Sequence, residues 1–187
     1  MNPVLEEAYA EMGEVNENRY KPIINETYGT YLRKTRQKFC QFDFIGDNYA
    51  GELKSRNLSV NDFKDTMIGY NKVVAGYKKL EVNKDKMNYK VYFWFAFKEG
   101  LYSWELNKEN YEANGGDSKK FMGGTINRGY NNIKEHYNIQ VKNLVKISDI
   151  PVYINPLVEA NTKKRTHKSS IPEGICFLKY KKSINAY

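Results

Sequence analysis

Cysteine is nearly missing from this chain: Cys40 and Cys176 are the only two in 187 residues. Two thiols so far apart build neither a disulfide framework nor a zinc cluster, and they suit a reducing compartment. Histidine is as scarce, and His136 and His167 sit in no partner pattern, so a histidine-based site is not expected. No run approaches the roughly 18 apolar residues of a membrane span. No charged, apolar, then small-residue leader opens the chain. These absences predict a protein that is not secreted, placed in the cytoplasm or nucleus of a host or in a virion. No internal repeat is visible.

What remains is a globular composition with a strong charge bias. Hydrophobic residues make up 41% and charged residues 28%, which supports a packed core instead of disorder. The length suits one domain, read here as residues 1–160, with a basic extension over 161–187. A net charge of +8 favours an anionic partner, nucleic acid being the simplest, although an inert basic surface has the same charge. Sixteen tyrosines, with abundant Asn and Lys, point to an AT-rich coding genome such as that of a phage, a large DNA virus or an AT-rich microbe.

The chemistry concentrates between Phe42 and Arg56, in the run Phe42-Asp43-Phe44-Ile45 and, after a turn through Gly46 to Tyr49, Glu52-Leu53-Lys54-Ser55-Arg56. Side chains alternate across a strand. With Phe42 and Phe44 in the core, Asp43 points the other way. On the next strand Glu52 and Lys54 share a face while Leu53 packs inward. A hairpin-like turn sets Asp43 beside Glu52, and two such carboxylates repel unless a divalent cation lies between them. A lysine two residues on can then position or deprotonate a water attacking a phosphodiester. An acid, any residue, then lysine is a weak pattern by itself: chance supplies about three copies in such a composition. Of Glu52-Leu53-Lys54, Asp62-Phe63-Lys64 and Asp117-Ser118-Lys119, only the first follows a strand bearing another acid.

The whole pattern, over about residues 13–97, resembles the PD-(D/E)XK nuclease superfamily, with Phe42 where a proline usually precedes the first aspartate. The resemblance implies an α/β restriction-endonuclease-like core: a mixed, mostly antiparallel sheet of four to five strands flanked by helices. It implies Mg²⁺- or Mn²⁺-dependent hydrolysis of phosphodiester bonds, in DNA by preference. Asp43 and Glu52 would hold the metal with the Leu53 carbonyl, and Lys54 would serve the attacking water. A helix ahead of the sheet would add an acid, Glu17 or else Glu14. A helix after it would lend Lys72 or Tyr70. Asp47 in the turn is an alternative ligand. The rival reading is a non-catalytic nucleic-acid-binding or virion-associated protein that keeps the nuclease fold. A homodimer would suit double-strand cutting.

The rest of the chain supplies the frame. Helices are expected over 2–12 and 14–27, with Pro22 kinking the second or beginning a new helix there and Gly29 ending it. Tyr31 to Lys38 reads as a strand presenting Lys34, Arg36 and Lys38 to phosphate or to water. Arg56 could grip a phosphate bidentately. Ser59 and Asp62 resemble a capping box. Phe63, Met67, Tyr70, Val74 and Tyr77 then step at helical spacing, which predicts one helix with Gly69, Lys72 and Gly76 on its outer face. Tyr89 to Phe97 is a buried strand turning at Lys98-Glu99-Gly100 into Leu101 to Leu106, with Trp94 and Trp104 as core. Residues 108–132 look like a polar, glycine-rich flexible loop. Strand-like alternation returns over His136 to Ile147, Pro151 breaks it, and Val152 to Ile154 reads as a last strand. The lysines after Asn161 read as an electrostatic arm or a solubilising tail.

Overall fold

The computed structural model describes residues 3–35, 40–86, 88–124 and 133–161. In chain order these form helix α1 (Pro3–Tyr28), strands β1 (Arg33–Lys34), β2 (Phe44–Ile45), β3 (Tyr49–Ser55) and β4 (Asp65–Gly69), and helix α2 (Tyr70–Val82). Strands β5 (Lys90–Phe97) and β6 (Gly100–Glu105), helix α3 (Lys108–Ala113), and strands β7 (Lys120–Gly124), β8 (Ile133–Gln140) and β9 (Val145–Ser148) follow. The fold is mixed α/β. One sheet has six strands in the order β1-β2-β3-β5-β6-β9, and a smaller antiparallel sheet runs β4-β8-β7. The main sheet therefore exceeds the four or five strands expected, and only its β3–β5 pair is parallel.

Strand β5 explains the layering. Seven of its eight residues are buried, as an apolar strand covered on both faces must be. Val91, Phe93, Phe95 and Phe97 join Ala50 and α2's Val73 and Ala75 in one core. Tyr92, Trp94 and Ala96 join Leu53 and α1's Tyr20 and Ile24 in another. The sheet is thus sandwiched between α1 on one face and α2 on the other. Each large side chain fully buried this way contributes about 1.5–3 kcal/mol. Gly51 of β3 lies directly under Trp94: a Cβ there would fall 2.3 Å from the ring atom Cζ3 and 2.4 Å from the Tyr92 carbonyl oxygen.

Helix α1 is one helix where two were expected, and it runs through Pro22. Its buried residues Ala8, Met12, Asn16, Tyr20 and Ile24 fall every fourth position, so continuous packing outweighs the hydrogen bond that proline removes. Gly29, at φ +57°, ends it as expected. Residues 150–158 lie against this helix. The buried Asn16 donates to the Tyr153 carbonyl at 2.8 Å and accepts from the Tyr153 amide at 2.8 Å. Tyr20 Oη donates to the Ile150 carbonyl at 2.9 Å. The strand expected over Val152 to Ile154 does not form; these residues have no regular secondary structure.

The helix expected from Ser59 begins only at Tyr70. Ser59 and Asp62 close a short turn, and Asp65–Gly69 is a strand paired with β8. Thr66 and Ile68 point inward while Met67 and Phe63 stay exposed, so the helical stripe read across 63–77 was coincidental. Gly76 is buried too: a Cβ there would lie 2.3 Å from Leu106 Cδ2, which makes it a packing glycine and not part of an outer face. In the polar stretch expected as a loop, residues 108–124 carry α3, a 3₁₀ turn (Gly116–Lys119) and β7. The hairpin β5–β6 and the buried Trp94 and Trp104 follow expectation. The basic extension falls outside the described residues apart from Asn161. Among the described residues no helix is long and apolar enough to cross a membrane.

Candidate active site

Strands β2 and β3 build the site. Their ladder pairs Ile45 with Ala50 and Phe44 with Gly51, so one step further brings Asp43 opposite Glu52. The backbone at that step is fixed by Thr35, whose amide donates to the Asp43 carbonyl at 2.8 Å and whose hydroxyl donates to the Phe42 carbonyl at 2.7 Å. Phe42 and Phe44 do not share a core as expected: Phe42 packs on the α2 face and Phe44 on the α1 face. The chain twists between them, and the Asp43 carboxylate takes a ladder position, accepting the Leu53 amide at 2.8 Å.

Glu52 is 2% exposed, a buried carboxylate needing partners. It has two. Lys54 Nζ donates to Oε1. Lys72 Nζ, from the first turn of α2, lies 2.9 Å from Oε2 and donates to the Gln41 carbonyl at 2.6 Å. The lysine from α2 thus reaches the same carboxylate as the lysine on β3. Burial first, and then the negative charge of Glu52, push the Asp43 carboxyl up to about 6, with Glu17 adding to the rise. Lys54 and the Leu53 amide pull the other way.

The other expected residues are placed less centrally. Glu17 acts on Asp43 through space, but its carboxylate is paired with Lys34 at 2.9 Å; Glu14 lies 3.7 Å from the same lysine. Lys34 is therefore neutralised, not free for phosphate, and Arg36 lies outside the described residues. Arg56 donates to the Met67 carbonyl and lies over the Phe95 ring at 6.0 Å, so it ties β3 to β4. Its Nε is buried without a partner, and burial lowers the guanidinium to about 10. Sequence reasoning missed the Leu53 amide and Gln41 carbonyl contacts, because backbone groups leave no residue-type signal.

Among the described residues no group of three or more His, Cys, Asp or Glu side chains is arranged to hold a metal ion. Two carboxylates remain, Asp43 and Glu52. That number is enough for Mg²⁺, which is commonly held by one or two carboxylates and keeps several waters. Burial and then the charge of Glu52 disfavour the Asp43 carboxylate, and a cation beside it would offset both. The residues present therefore fit a hard divalent ion, in competition with Lys54 and Lys72 for Glu52. No protein-family model matches this chain, and no curated protein sequence matches it.

Proposed function

We propose that this protein is a divalent-cation-dependent phosphodiester hydrolase of the PD-(D/E)XK kind, with a restriction-endonuclease-like core, acting on DNA. One observation carries the reading: Glu52, buried on β3, contacts Lys54 of the same strand, while Asp43 stands across the ladder feeling both charges. Asp43 and Glu52 would hold Mg²⁺ or Mn²⁺. The Leu53 carbonyl leaves β3 on the same side as the amide that meets Asp43, which suits a third oxygen ligand. When bound, such an ion polarises a phosphoryl oxygen and lowers the pKa of a bound water. The chain's own residues do the rest. Lys54 Nζ, held at Glu52, orients the attacking water and donates to the charge growing on the phosphoryl oxygens. Lys72 fixes the second Glu52 oxygen and stops that carboxylate from rotating. The net charge of +8 supports a polyanionic substrate.

A non-catalytic nucleic-acid-binding protein is the second reading, and one observation favours it: both Glu52 oxygens are already occupied by lysines. Incubating plasmid and single-stranded DNA with Mg²⁺ or Mn²⁺, with and without EDTA, separates the two. The hydrolase reading expects cation-dependent cutting that Lys54→Ala lowers about a hundredfold or more while DNA binding survives. Cutting by Lys54→Ala at the wild-type rate overturns the mechanism; no cutting by the wild type with either ion leaves the binding protein.

A further inference from the structure

A second cleft opens beside the candidate active site, on the same face of the sheet. The Arg56 amide bonds the Ala96 carbonyl at 2.8 Å, which carries the β3–β5 ladder one residue past Ser55. Glu52, Lys54 and Arg56 therefore leave one face in succession, and two residues of strand separate Lys54 from Arg56 by about 7 Å. Arg56 lines a cavity of about 290 Å³ whose walls include Leu58, Val60, Phe63, Met67 and Phe97. That volume lies at the small end of ligand pockets.

Two features of this cleft want a ligand. Phe63 is 61% exposed and Met67 42% exposed at the rim, large apolar surfaces with nothing over them among the described residues. An adjoining groove shares Val60, Phe63, Asp65 and Val141 with the cleft and brings in Lys64, Lys119 and Lys142 along with Asp62, whose carboxylate accepts from the Ser59 amide. Lys119 is paired with Asp65 at 3.7 Å, while Lys64 and Lys142 are exposed. A flat apolar body joined to an anion matches both.

We propose that this cleft takes the unstacked base of the nucleotide next to the scissile phosphate. The base stacks on Phe63, and its phosphate faces Lys64 and Lys142. This deepens the hydrolase reading and takes its substrate class from it. A base in the cleft requires a single strand or an unpaired nucleotide at the cut, since a base inside a duplex cannot reach it.

The test measures binding in EDTA, so that no cleavage is needed. Fluorescently labelled ten-nucleotide single strands, as DNA and as RNA, are titrated with the wild-type chain and with Phe63→Ala, a substitution at an exposed position. Each strand is made intact and with one abasic nucleotide stepped along it, the label holding the register. The wild type is expected to lose about tenfold in affinity at one abasic position. Phe63→Ala is expected to bind the intact strand about tenfold more weakly and to ignore the abasic nucleotide. A flat abasic scan, an unchanged penalty in Phe63→Ala, or no binding of either strand overturns the proposal. A flat scan with Mg²⁺-dependent cutting of plasmid or of the single strands removes the cleft alone, and an abasic penalty without cutting of either removes the hydrolase alone.

Discussion

Replacing Asp43 by Asn should make this protein more stable at neutral pH while disarming it. In the folded chain the carboxyl stands at about 6 against an ordinary 3.8. Between those values the native state binds more protons than the unfolded chain, so stability falls as pH rises from about 4 to about 6. Above that window the penalty is complete; below about 4 it vanishes. A difference of about two pH units corresponds to about 3 kcal/mol at most. Asn keeps an oxygen for the Leu53 amide, but its new N–H₂ group lacks an assured acceptor, which reduces the expected gain to about 1–2 kcal/mol. For a domain of this size that is about 3–6 °C in Tm. Thermal melts in EDTA at pH 7.5 and pH 4 read the effect. The variant should melt higher at pH 7.5, and its advantage should disappear at pH 4. An Asn variant equal to or weaker than wild type at pH 7.5, or an advantage that does not change with pH, refutes the account of Asp43 as a strained carboxylate. Adding Mg²⁺ should raise the wild-type Tm and leave the variant's unchanged.

Two further substitutions probe the frame. Lys72→Met leaves the buried Glu52 with one cation and should cost about 1–3 kcal/mol in urea unfolding at pH 7.5, part of which Glu52→Gln in the same chain restores; no loss would mean the α2 lysine is not coupled to the carboxylate. Gly51→Ala drives a methyl into Trp94 and the Tyr92 carbonyl and should cost about 3 kcal/mol or prevent folding, read by circular dichroism and melting; a wild-type Tm would show that Trp94 can move aside.

How far the sequence could be read depended on which elements had a single periodicity to offer. The apolar run of β5, the Gly100 turn and the Gly29 stop each had one physical explanation, and each element formed as expected. Residues 63–77 had two. A helical stripe through Phe63, Met67, Tyr70, Val74 and Tyr77 competed with an alternation through Thr66 and Ile68 only five residues long. Pairing with β8, some seventy residues away, decided for the strand, and no local signal records that partner. The site behaved in the same way. Strand alternation put Glu52 and Lys54 on one face, and one turn set Asp43 opposite Glu52. The twist that sends Phe42 and Phe44 to opposite faces and turns the Asp43 carboxylate to the Leu53 amide had no sign in the sequence. The sequence held no sign that Lys34 is taken by Glu17, or that Arg56 turns to the Met67 carbonyl.

The clasp between Asn16 and Tyr153 joins positions 137 residues apart. Helix α1, which carries Glu17, therefore gains this contact only once Tyr153 has left the ribosome, after every strand it packs on has been made.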